Sequence, residues 1–352
     1  MNLLDVIPGD AARTVDEWVR ARGEPPYRAR QIVGRLWQRP VRDWDEAGEL
    51  PRPMRAALAG EFPLAQPRLV RRQLSLDGTR KSLWEFSDGA RIESVLIPEG
   101  RRRTLCISSQ SGCAYACAFC ATGRMGFERH LAPWEIAAQV REIRLAREPG
   151  PTHVVFMGMG EPLHNWRSVK SALTILNDPK GLGIGARRIT VSTVGIVPPL
   201  LELAACPEQF RLALSLHAPT SEKRAVLMPV EKKYPLEEVV EALGRFTKRV
   251  TLEYVMIAGV NDAPEDAVAL AGLARPLGAL INLLPLHPGG APELRPCPPH
   301  EMRRFARHLR RLRARVTLRK SRGLDIGAAC GQLRAEVQRA RGVRAQEHAH
   351  IE

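Results

Sequence analysis

Gly112-Cys113-Ala114-Tyr115-Ala116-Cys117-Ala118-Phe119-Cys120-Ala121-Thr122-Gly123 is the stretch on which the reading of the chain turns. Its three cysteines, spaced Cys-x3-Cys-x2-Cys in one short loop, are able to converge on a single iron–sulfur cluster, because thiolates are the ligands such clusters take. A four-iron cluster has four ligand positions, so three cysteines leave one iron open to chelate a small molecule. A structural zinc site is the competing reading, but it normally asks for two Cys-x2-Cys-like pairs or matched histidines. Only His130 lies nearby and no second pair follows, so the spacing favours the cluster.

Around this loop the chain alternates apolar, β-rich runs with helical stretches. Strands are expected at 104–108, 153–157, 189–192, 211–216, 251–257 and 280–286, and helices at 133–147, 166–176, 197–205, 236–249, 263–277 and 298–312. Six strand–helix units in series make an α/β protein with a parallel sheet, and right-handed crossovers close it into a partial (βα)6 barrel of TIM type. An open doubly wound sheet is the alternative. The unusual residues favour the barrel. The cysteine loop, Gly158-Met159-Gly160-Glu161-Pro162, Ser192-Thr193, Ser215-Leu216-His217 and Pro285-Leu286-His287 all fall at carboxyl ends of strands, the face on which such barrels build their sites. A further strand is expected at 316–320, after a helix bearing Arg303, Arg304, Arg307, Arg310 and Arg311.

Ahead of the barrel, helices are expected at 10–22, 27–38 and 53–61, broken by Pro25-Pro26 and Pro40. Arg28, Arg30 and Arg35 give the second helix either a basic binding face or merely solvated charges over a packing cap. Strands at 71–76, 81–86 and 91–97, joined by Asp77-Gly78 and Asp88-Gly89, read as an antiparallel meander. The expected division is a helical accessory domain at 1–65, the meander at 66–100, the barrel at 101–331 and a polar tail at 332–352 containing His348 and His350.

The 352 residues, 44% hydrophobic, are enough for one large core and a small second unit. The start lacks a basic segment followed by an apolar one, and no apolar run approaches the ~20 residues of a membrane span, so the cytoplasm is the expected location. Seven cysteines, an odd number, argue for reduced thiols with metal or redox work rather than a disulfide framework. Cys206 and Cys297, isolated in sequence, read as small buried hydrophobes. A net charge of +15 points to a polyanionic partner, although lysine at only eight positions leaves genomic base composition as a second source of the arginine excess.

The segment from Thr104-Leu105-Cys106-Ile107-Ser108-Ser109-Gln110 to Gly123, with Gly158 to Pro162, Ser215-Leu216-His217 and Ala328-Ala329-Cys330-Gly331-Gln332, closely resembles RlmN-type radical S-adenosylmethionine (SAM) methyltransferases. Pro26-Tyr27-Arg28-Ala29-Arg30-Gln31 and Ile92-Glu93-Ser94-Val95 extend the resemblance over nearly the whole chain. It implies a radical SAM barrel that methylates carbon 2 of an adenine in 23S ribosomal RNA and, in many members, of the adenine 3′ to the tRNA anticodon. By the same resemblance Cys113, Cys117 and Cys120 would hold a [4Fe-4S] cluster, and Gly160, Glu161, Ser192, Ser215, Leu216 and His217 would bind SAM. His287 stands where relatives usually have an asparagine that contacts SAM. Cys330 would accept a methyl group from one SAM, and a radical made from a second would activate it for addition to the adenine. Cys106 would release the product through a transient disulfide with Cys330, and Glu93 would accept a proton. The implied partners are 23S rRNA, tRNA and an electron donor such as flavodoxin or ferredoxin, with the chain a monomer. The basic stretches 101–103 and 303–322 are the expected RNA footprint. Two other activities stay open at this point: methylation of carbon 8 of the same adenine, which uses the same cysteines, and a non-catalytic iron–sulfur regulator that binds RNA.

Overall fold

Residues 1–287 and 292–333 are described by a computed structural model, and a ten-stranded sheet organises them. The chain enters through three helices, α1 (Pro8–Arg20), α2 (Tyr27–Leu36) and α3 (Arg52–Glu61). It then forms the meander β1 (Arg68–Leu74), β2 (Arg80–Glu85) and β3 (Arg91–Glu99). Gly78 and Gly89 take positive φ at the two Asp-Gly turns, the conformation such hairpin turns require. The meander continues the main sheet without a break: β3 pairs antiparallel with β4 (Arg102–Cys106), with Val95 opposite Cys106.

Six more strands follow β4 in parallel, each laid beside the last: β7 (His153–Phe156), β8 (Ile189–Thr193), β9 (Arg211–Ser215), β10 (Val250–Met256), β11 (Leu280–Pro285) and β12 (Arg315–Leu318). Their crossovers carry α5 (Pro133–Leu145), α6 (Trp166–Asn177), α7 (Val197–Ala205), α9 (Leu236–Gly244), α10 (Pro264–Ala274) and α11 (Pro299–Arg311). The strands read as near-continuous apolar runs because both faces are covered; Leu212, Ala213 and Leu214 of β9 and Ile281 and Leu283 of β11 are almost wholly buried. The parallel barrel expected from the alternation is therefore present, with β12 added as a seventh parallel strand. Missing from the sequence reading are the short ladder of β5 (Gln110–Gly112) with β6 (Phe127–His130), and the helices α4 (Ala121–Arg124) and α8 (Ser221–Leu227). Elements this short show too little periodicity to stand out.

The strand order starts at β1 and ends at β12, and among the described residues no ladder joins these two edges. Side chains do. Ser75 donates to Asp325 Oδ1 at 2.6 Å, the Leu76 amide to Asp325 Oδ2 at 3.2 Å, and the Gly323 amide to Asp77 Oδ2 at 3.0 Å. The turn between β1 and β2 thus grips the segment that follows β12. Hydrogen bonds from Thr79 above all, opposed by partial burial, hold the Asp77 carboxyl well below its ordinary range.

The N-terminal helices are seated on α5 by two arginines. Arg141, buried, donates from Nε to the Leu36 carbonyl at 2.9 Å and from Nη2 to the Val41 carbonyl at 2.5 Å; Arg144 reaches the Trp37 carbonyl at 3.0 Å. These carbonyls close the C-terminal end of α2, where helix geometry leaves acceptors without partners. Of the arginines on α2, Arg35 holds Glu49 with two nitrogens at 2.6 Å and Arg28 donates to the Glu49 carbonyl, whereas Arg30 is exposed. Two of the three are thus spent on the helical unit's own structure. No described helix is long and apolar enough to cross a membrane, and the tail from 334 onward, with His348 and His350, lies outside the described residues.

Arg141→Leu strands two buried carbonyls and is expected to lower stability by about 2–6 kcal/mol, at roughly 1–3 kcal/mol per unsatisfied group. Urea unfolding of the variant against the parent checks this, and a loss within experimental error would show that the clasp is dispensable.

Candidate active site

The cysteine loop joins β5 to α4 beyond the carboxyl end of β4. Backbone bonds hold it from three sides: Cys113 N to Gly126 O at 2.8 Å, Ala118 N to Leu227 O at 2.9 Å and Ala121 N to Gly331 O at 2.7 Å. A Cβ on Gly123 would come within 3.0 Å of the Cys117 nitrogen, so glycine is what lets α4 lie against the loop. Cys117 is buried, Cys113 and Cys120 are half-buried, and all seven cysteines are free thiols.

Among the described residues, the only three Cys, His or carboxylate groups with ligand atoms within 4.8 Å of one another are Asp262, Cys297 and Glu301. The thiols of Cys113, Cys117 and Cys120 are therefore spread wider than one ion with bonds of ~2.3 Å would draw them. Burial pushes the Cys113 thiol up to about 12 and raises those of Cys117 and Cys120, with nearby sulfurs adding to the cost: Cys120 for Cys113, Cys120 and Cys113 for Cys117, and Cys330 for Cys120. Only a cationic centre reverses that penalty, by binding the sulfurs as thiolates. An all-sulfur donor set, held by main chain and too wide for a single ion, fits a cluster. Cys297, buried and 3.3 Å from Asp262 Oδ2, and half-buried Cys206 lie apart from it.

Next to the loop, the turn after β7 packs backbone on backbone. A Cβ on Gly158 would lie 2.7 Å from Ile107 main-chain atoms, and one on Gly160, whose φ is +94°, would lie 2.5 Å from Gln110 Cβ. Glu161 is buried at its end. Its Oε1 accepts from the Leu163 amide and its Oε2 from the Val194 amide, both at 2.9 Å. Burial pushes its pKa up to about 7, against the pull of the Thr193 hydroxyl and these amides. Gln110, fully buried, accepts from the Glu161 amide at 2.7 Å and gives its amide hydrogens to Nδ1 of His130 at 3.0 Å and of His164 at 3.1 Å. His130, the one histidine a zinc reading had to hand, is thus engaged with Gln110. The reading from sequence missed Gln110 and His164, whose roles arise only from the fold.

On the neighbouring strands Ser192 and Ser215 bring their hydroxyls within 3.5 Å of each other. Leu216 is buried beside them, and His217 follows with a φ of +55°. His217 Nδ1 accepts from the Val255 amide at 3.1 Å, so Nε2 carries the hydrogen, and the ring meets Phe119 of the cysteine loop edge-on at 4.5 Å. Burial, then the positive charge of Arg224, lowers its pKa to about 3, so the imidazole is neutral. His287, at the end of β11, is bonded through Nε2 to the Ser321 hydroxyl at 2.7 Å, which ties it to the segment after β12 rather than to the two serines.

Cys106 ends β4 and is buried; Cys330 is exposed in the loop gripped by the β1–β2 turn. Burial pushes the Cys106 thiol up to about 12, with neighbouring Cys330 adding to the rise and Arg319 opposing it. Arg319, itself raised chiefly by Cys330, lies with its Nη1 3.9 Å from Met157 Sδ, so this guanidinium of the basic stretch 303–322 is within electrostatic reach of both cysteines. Glu93 on β3 is buried with Lys81, Oε1 to Nζ 3.5 Å. Of the two basic stretches, Arg102 and Arg103 open β4, at the end of the sheet opposite the cysteine loop, whereas Lys320 and Arg322 leave β12 at the carboxyl end.

The two buried titrating groups act on stability with opposite sign. His217, depressed from 6.5 to about 3, contributes stability that is present above pH 6.5 and lost as pH falls toward 3; Glu161, raised from 4.5 to about 7, contributes stability present below pH 4.5 and lost as pH rises through 7. His217→Gln is therefore expected to remove a loss on the order of 1 kcal/mol per pH unit between pH 6 and 4. Urea unfolding across that range checks it, and parallel curves for variant and parent would contradict it.

With this geometry in place, comparison with known proteins is direct. The Radical SAM superfamily matches residues 107–271. A Gemmatimonas aurantiaca protein named "Probable dual-specificity RNA methyltransferase RlmN" is 55% identical over 99% of this chain and 98% of its own length. An Anaeromyxobacter protein named "Dual-specificity RNA methyltransferase RlmN" is 43% identical over 92% of this chain and 88% of its own. The crystal structure of a radical SAM methyltransferase from Sphaerobacter thermophilus superposes with a TM-score of 0.88 at 42% identity, covering 95% of this chain and 99% of that one. Radical SAM membership implies SAM and an iron–sulfur cluster. The chain belongs to the RlmN family of radical SAM RNA methyltransferases.

Proposed function

We propose that the chain methylates carbon 2 of an adenine in 23S rRNA and of the adenine 3′ to the tRNA anticodon, with two SAM molecules per turnover and the new methyl carried on Cys330. One observation above all supports it: an exposed Cys330 and a buried Cys106 lie within electrostatic reach of each other, and the Cys330 loop rests on the cysteine loop through the bond from Ala121 N to Gly331 O.

Cys113, Cys117 and Cys120 hold a [4Fe-4S] cluster. Gly160 and Glu161 receive the SAM ammonium, and Ser192, Ser215, Leu216 and His217 line the rest of the molecule, with His287 at the margin. When bound, the cluster and SAM supply one-electron cleavage of a sulfonium and so a carbon radical, which this substrate needs because an adenine C2–H is neither acidic nor nucleophilic. Cys330, on its loop, takes the methyl group and presents it to the base. The adenine is splayed from its stack to reach the barrel mouth. Glu93 takes the proton from carbon 2 and one electron leaves the adduct to the electron-transfer partner. The Cys106 thiolate then attacks the Cys330 sulfur, so that an S–S bond forms as the C–S bond breaks, its electron pair passing to the methylene carbon, which takes a proton to become the methyl group. A dithiol reductant returns the disulfide to two thiols. A one-electron donor such as flavodoxin or ferredoxin serves the cluster, and the chain acts as a monomer in the cytoplasm. The accessory domain at 1–65, the meander at 66–100 and the barrel at 101–331 act together, with Arg30 and the Lys320–Arg322 rim meeting phosphates.

Cys330→Ala should keep its iron and lose methylation. Cys106→Ala should load the methyl group, add to RNA and stall, visible as a nuclease-sensitive mass shift on Cys330. Methylation by purified Cys330→Ala at the parent rate would overturn the mechanism. Mass mapping of the modified adenosine separates carbon 2 from carbon 8, and absence of deoxyadenosine release would make the chain a regulator instead.

RNA binding should be steep in salt, since each neutralised phosphate releases counterions. Lys320→Gln with Arg322→Gln should weaken binding and flatten the salt slope by roughly one to two phosphate equivalents, whereas Arg101→Gln with Arg102→Gln should change neither. Equal effects of the two pairs would refute the footprint.

A further inference from the structure

Lys81 is a buried cation that the steps above do not use. On β2 it stands opposite Val95 of β3, and Val95 stands opposite Cys106 of β4. Residues directly paired across a sheet share a face, and Glu93, two residues from Val95, lies on that face too. Register alone therefore sets Lys81, Glu93 and Cys106 on one side of the sheet. The Lys81 side chain is 2% exposed, with Nζ 3.5 Å from Glu93 Oε1 and donating to the Gly327 carbonyl at 3.2 Å. Gly327, with a φ of +57°, is three residues before Cys330. Burying an ammonium costs several kcal/mol unless its partners are well placed. Here the partners are the proposed proton acceptor and the root of the proposed methyl carrier.

We infer that Lys81 is a positioning residue for the methyl transfer: it keeps the Glu93 carboxylate ionised and ties it to the Cys330 loop, so that acceptor and carrier close over the adenine as one unit. The inference rests on the roles proposed for Glu93 and Cys330. Among the described residues, the titratable and charged groups around Glu93 include Lys81 from β2, Cys106 from β4, and Arg319 and Cys330 from the segment after β12. Ser108, just beyond β4, donates to the Glu93 main-chain carbonyl at 2.7 Å and fixes the strand, not the carboxylate. Lys81 is thus a cation paired directly with that carboxylate. Removing an opposite charge from a buried carboxylate raises its pKa by roughly 1–3 units.

The test uses the reconstituted holoenzyme with Lys81→Met and Lys81→Arg. In single turnover, the acid limb of adduct resolution should move up by roughly 1–3 pH units in Lys81→Met and stay in place in Lys81→Arg. A residue that merely packs would cost stability and leave that limb unmoved, so a parent-like acid limb in Lys81→Met overturns the inference. Without cluster or RNA, hydrogen exchange at amides 324–331 should quicken in Lys81→Met; unchanged exchange overturns the tie to the loop. Should Lys81→Met fail to fold, Lys81→Gln takes its place against Lys81→Arg, with the same two outcomes. If Cys106→Ala forms no RNA adduct, the roles of Glu93 and Cys330 fail instead, and the exchange measurement alone then decides whether Lys81 holds the loop.

Discussion

An open sheet has two edges, and this fold depends on what joins them. Asp77 and Asp325, each a carboxylate accepting backbone amides or hydroxyls from the other side, bring the β1–β2 turn onto the segment beyond β12. The bond is local, but its reach is not. It fixes the root of the loop that carries Cys330. The meander, which by sequence alone resembles a connector, is part of the main sheet and holds the segment beyond β12.

Beside the cysteine loop, Glu161, Gln110 and His217 are buried and paired. Glu161 accepts two amides, Gln110 satisfies an amide and two imidazoles, and His217 caps Val255 while its carbonyl receives the Asn261 side chain at 2.7 Å. A site held by satisfied donors and acceptors does not relax when a charged ligand arrives, because the groups that would turn toward the charge are already committed. The glycines of the turn after β7 contribute the complementary part. They bring main chain against main chain at Ile107 and Gln110, where any side chain would push the strands apart.

Much of this was legible in the sequence, because the informative residues are local. The βα alternation, the cysteine spacing and the placement of Gly158–Pro162, Ser192 and Ser215–His217 after strands all follow from short-range pattern, and the parallel sheet agrees with them. What escaped depends on residues far apart in the chain. Arg319 sits in a basic run and looks solvent-facing until β12 joins the sheet and turns it toward Cys106 and Met157. Residues 101–103 carry the same charge, yet the direction of β4 puts them at the other end. The ladder of β5 with β6 is three or four residues a side and leaves no periodic trace. Composition registers charge, whereas only topology says which way it points.

The arginine clasp on α5 has a different kind of consequence. Arg141 and Arg144 recognise the accessory helices through the carbonyls of Leu36, Trp37 and Val41, atoms that every amino acid possesses. The joint is consequently indifferent to the side chains displayed on the outer surface of those helices. Drift or selection is free to rewrite that surface while the main-chain bonds that seat the helices on α5 stay as they are, which makes the front end of this protein an exchangeable part.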